Sequence, residues 1–172
     1  MVRIEIEEIQ EGASVLEFEC KPEEIGLEAD GVYFAESVTA SLKFFRQIDK
    51  IFIKGDISVA VESECVRCLD PVHSVLKASL EIQFRPLPKT VRYPLDDIGI
   101  GYYSEDYIDL SDEFRESLLL ELPMVILCSE DCKGLCPHCG QNLNRGKCNC
   151  SEPEEVRLSK FAELVRSLEI KT

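Results

Sequence analysis

Tryptophan is absent from this chain, methionine and histidine occur only twice each, and 19 basic residues face 33 acidic ones. Each shortage excludes something. No stretch approaches the roughly 20 consecutive apolar residues that span a bilayer. The opening Met1-Val-Arg-Ile-Glu-Ile-Glu-Glu lacks an apolar run behind a basic flank, so no secretory signal is expected and a cytoplasmic location is. A net charge of −14 repels phosphate backbones, which argues against broad, nonspecific nucleic-acid binding. There is no glycine-rich phosphate loop and no serine nucleophile elbow, and neither His73 nor His138 stands in a recognisable base-and-nucleophile pattern. Acidic pairs such as Glu23-Glu24 and Asp96-Asp97 lie in turn-like contexts and read as solvated charge. The expectation is a protein that is not an enzyme and has no small-molecule substrate.

What the chain has in excess is cysteine. Nine are present, six of them in the 23 residues from Cys128 to Cys150. In a reducing compartment such a density points to metal ligands, because the thiol pool opposes disulfides. Cys136-Pro-His-Cys139-Gly140 reads as a metal knuckle: two thiolates on a tight turn, with Pro137 fixing φ and Gly140 free to take a positive φ. Cys148-Asn-Cys150 supplies a second pair, and four thiolates form a closed tetrahedron suited to structural Zn²⁺. Cys128 and Cys132 then need partners from outside the segment, and Cys65-Val-Arg-Cys68 offers them. Two zinc sites result, Cys65/Cys68/Cys128/Cys132 and Cys136/Cys139/Cys148/Cys150, although spacing alone leaves a grouping of Cys132 with Cys136 and Cys139 open. An iron–sulfur cluster also takes four thiolates, but the spacings match no usual ferredoxin run. His138 is read as a solvated turn residue rather than a ligand, and Cys20 as a small buried hydrophobe.

The remaining chain reads as α+β: an antiparallel β-meander, barrel-like, with a few helices and the cysteine-rich module at its C-terminal end. Alternating apolar residues at Val38/Ala40/Leu42/Phe44, Ile51/Ile53/Ile57/Val59/Val61 and Leu76/Ala78/Leu80/Ile82/Phe84 predict three long strands with one apolar face each. Cys65 and Cys68 fall between the second and third, at a hairpin tip. Two short strands are expected in residues 2–20, with a break at Glu11–Ser14, and a helical turn within 21–30. Residues 85–107 read as a mobile or extended connection. Ser111 looks like the cap of a helix near 111–122 whose buried stripe is Phe114, Leu118 and Leu122. These readings divide the chain into a β-rich domain at 1–127, a zinc module at 128–150 and an amphipathic helix at 151–172 that packs on the domain, with Leu158, Phe161, Ala162, Val165 and Leu168 as its apolar stripe.

Charge is unevenly spread. Residues 1–64 hold 15 acids and 6 bases, whereas 132–151 contain Lys133, Arg145 and Lys147 and no acid. If the protein touches RNA, these three cations are the expected contacts; their other role is to offset the thiolate charge.

Taken together, Cys65-Val-Arg-Cys-Leu at a hairpin, Ile108-Asp-Leu before a leucine-rich helix ending in Leu122-Pro123, and Cys128, Cys132-Lys-Gly-Leu-Cys-Pro-His-Cys-Gly-Gln-Asn-Leu-Asn and Cys148-Asn-Cys150 resemble the YceD-like family of large ribosomal RNA subunit accumulation proteins. The resemblance covers roughly residues 38–169, and the first 35 match only in general character. It implies a bacterial or plastid protein needed for normal accumulation of large-subunit ribosomal RNA. The function expected is therefore that of a non-enzymatic zinc-binding factor in ribosome assembly, whose partner is a ribosomal protein or large-subunit rRNA and its precursor. The competing expectation is a thiol or zinc redox sensor in which Cys65 and Cys68 switch between thiolate and disulfide.

Overall fold

A computed structural model describes residues 1–88, 99–103 and 106–150. Within them the three alternating stretches form the expected meander: β4 (Val38–Gln47), β5 (Lys50–Glu64) and β6 (Pro71–Pro86). β5 and β6 stay paired from Ile51↔Phe84 to Glu64↔Pro71, a ladder that carries the hairpin tip roughly 45 Å along the sheet at about 3.3 Å per residue. The inward rows alternate in size. Ala40, Ile57 and Ala78 form one, and Leu42, Gly55 and Leu80 the next. Gly55 allows close approach here, since a Cβ would collide with the backbone of Ser41 and Leu42.

The buried face is covered by a second layer. β1 (Arg3–Glu5) pairs with β8 (Tyr107–Asp109) as a two-stranded ribbon, and α1 (Ser111–Leu120) follows it. Phe114 and Leu118 of the helix are buried, and Phe114 meets Phe18 edge-on at 6.3 Å between ring centroids. Phe18 belongs to β2 (Gly12–Cys20), which pairs along all of its length with β4 and brings Cys20 into the core. Burial, and secondarily Glu24, pushes the Cys20 thiol up, as expected of an inert core cysteine. The short β3 (Val32–Phe34) lies against the tip-proximal end of β5. Among the described residues no helix is long and apolar enough to cross a membrane.

Several expectations need correction. The sheet is open, not barrel-like: its order is β2-β4-β5-β6-β7, where β7 is Ile100–Tyr103, and the two edge strands do not pair with each other. Alternation reports which face is buried, and that face is closed by α1 and the β1–β8 ribbon instead of by the sheet curling on itself. Nor is the sheet wholly antiparallel. β7 (Ile100–Tyr103), within the stretch expected to be a connection, pairs parallel to β6. Its four residues show no alternation because Gly101 stands where the Phe84 ring covers the strand.

The break in the N-terminal stretch is a 3-10 turn at Ile6–Glu8, earlier than expected, so Gly12–Ser14 belong to β2. Ser111 does not cap α1. Its hydroxyl accepts from the Val2 amide at 2.8 Å, its own amide donates to Asp109 Oδ1 at 3.0 Å, and Leu110 occupies the N-cap position. The expected helix at 151–172, with its apolar stripe, lies outside the described residues.

Candidate metal centres

The β5–β6 turn is built from its own backbone. The Cys65 amide donates to the Asp70 carbonyl at 2.9 Å and the Leu69 amide to the Cys65 carbonyl at 2.8 Å, which places Leu69 at φ 58°, a left-handed conformation unusual for a branched side chain. Beyond α1, Pro123 prevents the helix from continuing. The chain then runs to the tip, where the Val66 amide donates to the Ile126 carbonyl at 3.0 Å and delivers Cys128. Arg67 holds the far side: its guanidinium donates to the Cys132 carbonyl at 3.0 Å and its carbonyl accepts from the Leu135 amide at 3.1 Å. Gly134, at φ 72°, lets the chain pass close to the Arg67 carbonyl.

The result is one group of four sulfurs from two segments, Cys65, Cys68, Cys128 and Cys132, all within 4.8 Å of one another. Cys65 Sγ is 3.7 Å from Cys132 Sγ, and Cys68 Sγ is 3.5 Å from Cys128 Sγ. Val72, Leu127 and Leu135 pack around them, and Cys65 is wholly buried.

The second group, Cys136, Cys139, Cys148 and Cys150, also has its sulfurs within 4.8 Å of one another. Here the Gly140 amide donates to the Cys136 carbonyl at 2.9 Å with Gly140 at φ 73°, the conformation its sequence position predicts. Cys139 and Cys150 are exposed. The structure thus brings together all eight cysteines in the two fours of the primary sequence reading and not in the alternative that joins Cys132 to Cys136 and Cys139. His138 is exposed in the knuckle turn and belongs to neither group. His73 lies 3.3 Å from Glu62.

Four sulfurs this close cannot all carry charge without a cation. In the first group burial pushes Cys65 up, but the amides of Cys128, Arg67 and Cys68 outweigh it and bring the thiol down to about 6. The Asp70 amide favours the Cys68 thiolate, yet burial and the neighbouring sulfurs overcome it and push Cys68 up to about 12. The second group repeats the division. Cys136 falls to about 6, chiefly through the Cys139 and His138 amides, while Cys150 is pushed up to about 12, chiefly by the Cys139 sulfur. Each group readily forms a thiolate and strongly resists completing the set, which is the electrostatic condition a divalent cation relieves.

Three residues overlooked in the sequence lie beside the sulfurs. Asn144 Nδ2 donates to Cys132 Sγ at 3.3 Å, and Asp70, with one carboxylate oxygen 3.5 Å from Cys68 Sγ, accepts from Asn142 Nδ2 and from Arg145, each at 2.7 Å. Of the three candidate RNA contacts, Lys133, Arg145 and Lys147, all exposed, Arg145 is therefore engaged with Asp70. No spacing rule marks Asp70, Asn142 or Asn144; the Asn-Leu-Asn run between Cys139 and Cys148 is the only hint.

Residues 53–165, which contain the hairpin and all eight of these cysteines, match the family described as large ribosomal RNA subunit accumulation protein YceD. The chain belongs to the YceD family. It is similar to an uncharacterised protein of Mycobacterium leprae, 28% identical over 119 residues that make up 69% of this chain and 55% of the relative. It is similar also to two plant proteins named large ribosomal RNA subunit accumulation protein YCED homolog 1, chloroplastic. The one from Zea mays is 24% identical over 159 residues, covering 76% of this chain and 54% of the relative. The one from Arabidopsis thaliana is 42% identical over 48 residues, covering 28% and 15%. The chain thus spans little more than half the length of the M. leprae and maize relatives. No solved structure matches it significantly. The description of the YceD family names an outcome, rRNA accumulation, and not a reaction.

Proposed function

We propose that this protein is a non-enzymatic factor, held in shape by two zinc ions, that supports accumulation of the large-subunit ribosomal RNA by binding a ribosomal protein or the rRNA and its precursor during ribosome assembly. The observation that carries the reading is the pair of closed four-sulfur groups. A tetrahedron with Zn–S bonds of about 2.3 Å has sulfur–sulfur edges of about 3.8 Å, close to the 3.5 and 3.7 Å contacts in the first group. Thiolates bound to different irons of a polynuclear cluster would stand farther apart. Bound zinc would supply charge compensation and cross-linking, with all four positions taken by sulfur and none left for an activated water.

The cysteine-built end also presents what a macromolecular partner would touch. Lys133, Arg145 and Lys147 are exposed there, and so are Val66, Leu69 and Met124, the last fully. Cations beside an apolar patch suit an RNA phosphate or a ribonucleoprotein surface. The acidic excess of residues 1–64 suits a basic ribosomal protein docked on the sheet. A reducing compartment, the cytoplasm in a bacterium, is the setting in which all eight thiols stay available to zinc.

Elemental analysis of protein purified without added metal, combined with thiol titration, should find two zinc ions and one slowly reacting thiol, Cys20. One zinc with a reversible Cys65–Cys68 disulfide would replace the reading with the redox sensor. Changing Lys133, Arg145 and Lys147 together to Ala should abolish association with large-subunit rRNA while protein-partner binding persists; unchanged RNA association would refute the assignment of these cations.

A further inference from the structure

The loop of eight residues between Cys139 and Cys148 belongs by sequence to the second sulfur group, yet its side chains are spent on the first. Asn144 Nδ2 donates to Cys132 Sγ at 3.3 Å while Asn144 Oδ1 accepts from the Lys133 amide at 2.8 Å. Asn142 Nδ2 and the Arg145 guanidinium both donate to Asp70, at 2.7 Å each. Asn142 Oδ1 in turn accepts from the Asn144 amide at 2.9 Å, locking the two asparagines in one arrangement. The backbone adds a bond from the Leu143 amide to the Gly134 carbonyl at 2.9 Å and a bridge between Leu135 and Asn142.

We propose that this loop couples the two metal centres: zinc at Cys136, Cys139, Cys148 and Cys150 holds Asn142, Asn144 and Arg145 against the first centre, and so sets how tightly Cys65, Cys68, Cys128 and Cys132 retain their own ion. The proposal rests on the two-zinc reading above and goes beyond it by assigning outer-layer roles to residues that touch no metal.

Two effects produce the coupling. The Asn144 amide places the positive end of a dipole on a sulfur of a site whose four thiolates outweigh the ion they bind, so it stabilises the ligand charge and orients Cys132. Asp70 has the opposite tendency. Its carboxylate oxygen lies 3.5 Å from Cys68 Sγ, a repulsive neighbour for a thiolate, and the two donors from the loop compensate that charge. Both contributions require the loop in place. With zinc bound, its two ends are pinned at Cys139 and Cys148; without zinc, only the knuckle turn and the loop's own hydrogen bonds restrain it, and ordering it costs the first centre. Arg145 thereby acts as a positioning residue, apart from any contact it makes with RNA.

The test uses the full-length zinc-loaded protein and a chromogenic zinc chelator, 4-(2-pyridylazo)resorcinol, with release followed by absorbance. The wild-type protein should release its ions in two phases, the slower from the buried first centre. In Asn144→Leu and Asn142→Ala the slow phase should accelerate about 10–100-fold, as removal of an outer-layer hydrogen bond typically does, while Lys77→Ala, an exposed change within β6, leaves it unchanged. The double variant Cys139→Ser/Cys148→Ser keeps one ion, which should leave at the accelerated rate. Adding Asn144→Leu to it should change little, because the contact is already lost. Far-UV circular dichroism checks that each variant keeps its sheet, and Asn144→Gln, which retains the amide donor, should recover part of the slow phase. A remaining ion that leaves the double variant at the wild-type slow rate, or acceleration factors that multiply, would overturn the coupling and leave the two-zinc reading intact. Protein that carries no zinc would overturn both.

Discussion

The two cysteine groups share one turn and differ in what that turn is attached to. Cys65-x-x-Cys68 and Cys136-x-x-Cys139 each close with an amide bonded back to the first cysteine carbonyl, at 2.8 and 2.9 Å, and each puts the following residue at positive φ, 58° at Leu69 and 73° at Gly140. The first turn ends a ladder of two long strands, and its partner cysteines arrive about 60 residues later from beyond α1. The second draws its partners from the next eleven residues and stands largely in solvent. With zinc bound as proposed, the same ligand chemistry would serve two physical purposes. Closing the long loop would restrict the unfolded chain and tie sheet to helix, whereas closing the short one would organise a module and steady the first centre through its loop.

The sharpest challenge to this comparison is to remove each site in turn. Cys132→Ser should lower stability by about 4 kcal/mol, the chain-entropy effect of a loop of some 60 residues, and the sheet melting temperature by roughly 10 °C, followed by circular dichroism in excess zinc. Cys148→Ser in the same excess should lower the sheet transition by less, roughly 3–7 °C, because the first ion is then held about 10–100-fold more weakly. Equal losses would show that the second site is as much a part of the fold as the first.

Acid should separate the sites from the sheet. Zinc bound as proposed loses its thiolates as pH falls, so its contribution at both centres should disappear on the acid side. Glu113 runs the other way: burial, aided by nearby Asp112, Glu116 and Asp109, raises its carboxyl to about 7 from 4.5. A raised folded-state value means the folded protein holds the proton more tightly between those two pH values, so stability present below about 4.5 is lost as pH rises through 7. Glu113→Gln should therefore be neutral near pH 4.5 and raise the melting temperature by about 2–4 °C at pH 8, a modest gain because the carboxyl is still partly solvated. A gain at acid pH instead would contradict the sign.

The smallest effect concerns the turn itself. Leu69 pays left-handed strain that Gly140 avoids, and its side chain is 58% exposed. Leu69→Asn should stabilise by about 0.5–1 kcal/mol with zinc retention unchanged, while Gly140→Ala should destabilise its module by about 1 kcal/mol although nothing crowds the added methyl. If Leu69→Asn destabilises, the exposed leucine is making a contact that the turn geometry alone does not explain.

Local chemistry made much of this legible. Period-two runs such as Val38-Thr-Ala-Ser-Leu-Lys-Phe marked their strands and inward faces because burial of one face imposes alternation, and Cys136-Pro-His-Cys-Gly marked its knuckle because the turn demands those residue types. Ser111 misled because a serine before an acidic pair fits a helix cap and an anchoring hydroxyl equally well, and the amide it serves belongs to Val2, 109 residues away. β7 escaped because four residues containing a glycine carry no periodic signal until β6 lies alongside. Asp70, Asn142 and Asn144 escaped because their role exists only where two turns from distant parts of the chain meet.

By itself, then, the sequence determined the cysteine pairs and their two turns, the long meander and its buried face, since each follows from neighbours a few residues apart. Tertiary structure decided whether the sheet closes, which strands occupy its edges, which four cysteines share a group, and that the loop of the second group bonds to the sulfurs of the first. Those outcomes depend on which surfaces remain to be covered once the local elements form, and no short window of residues contains that information.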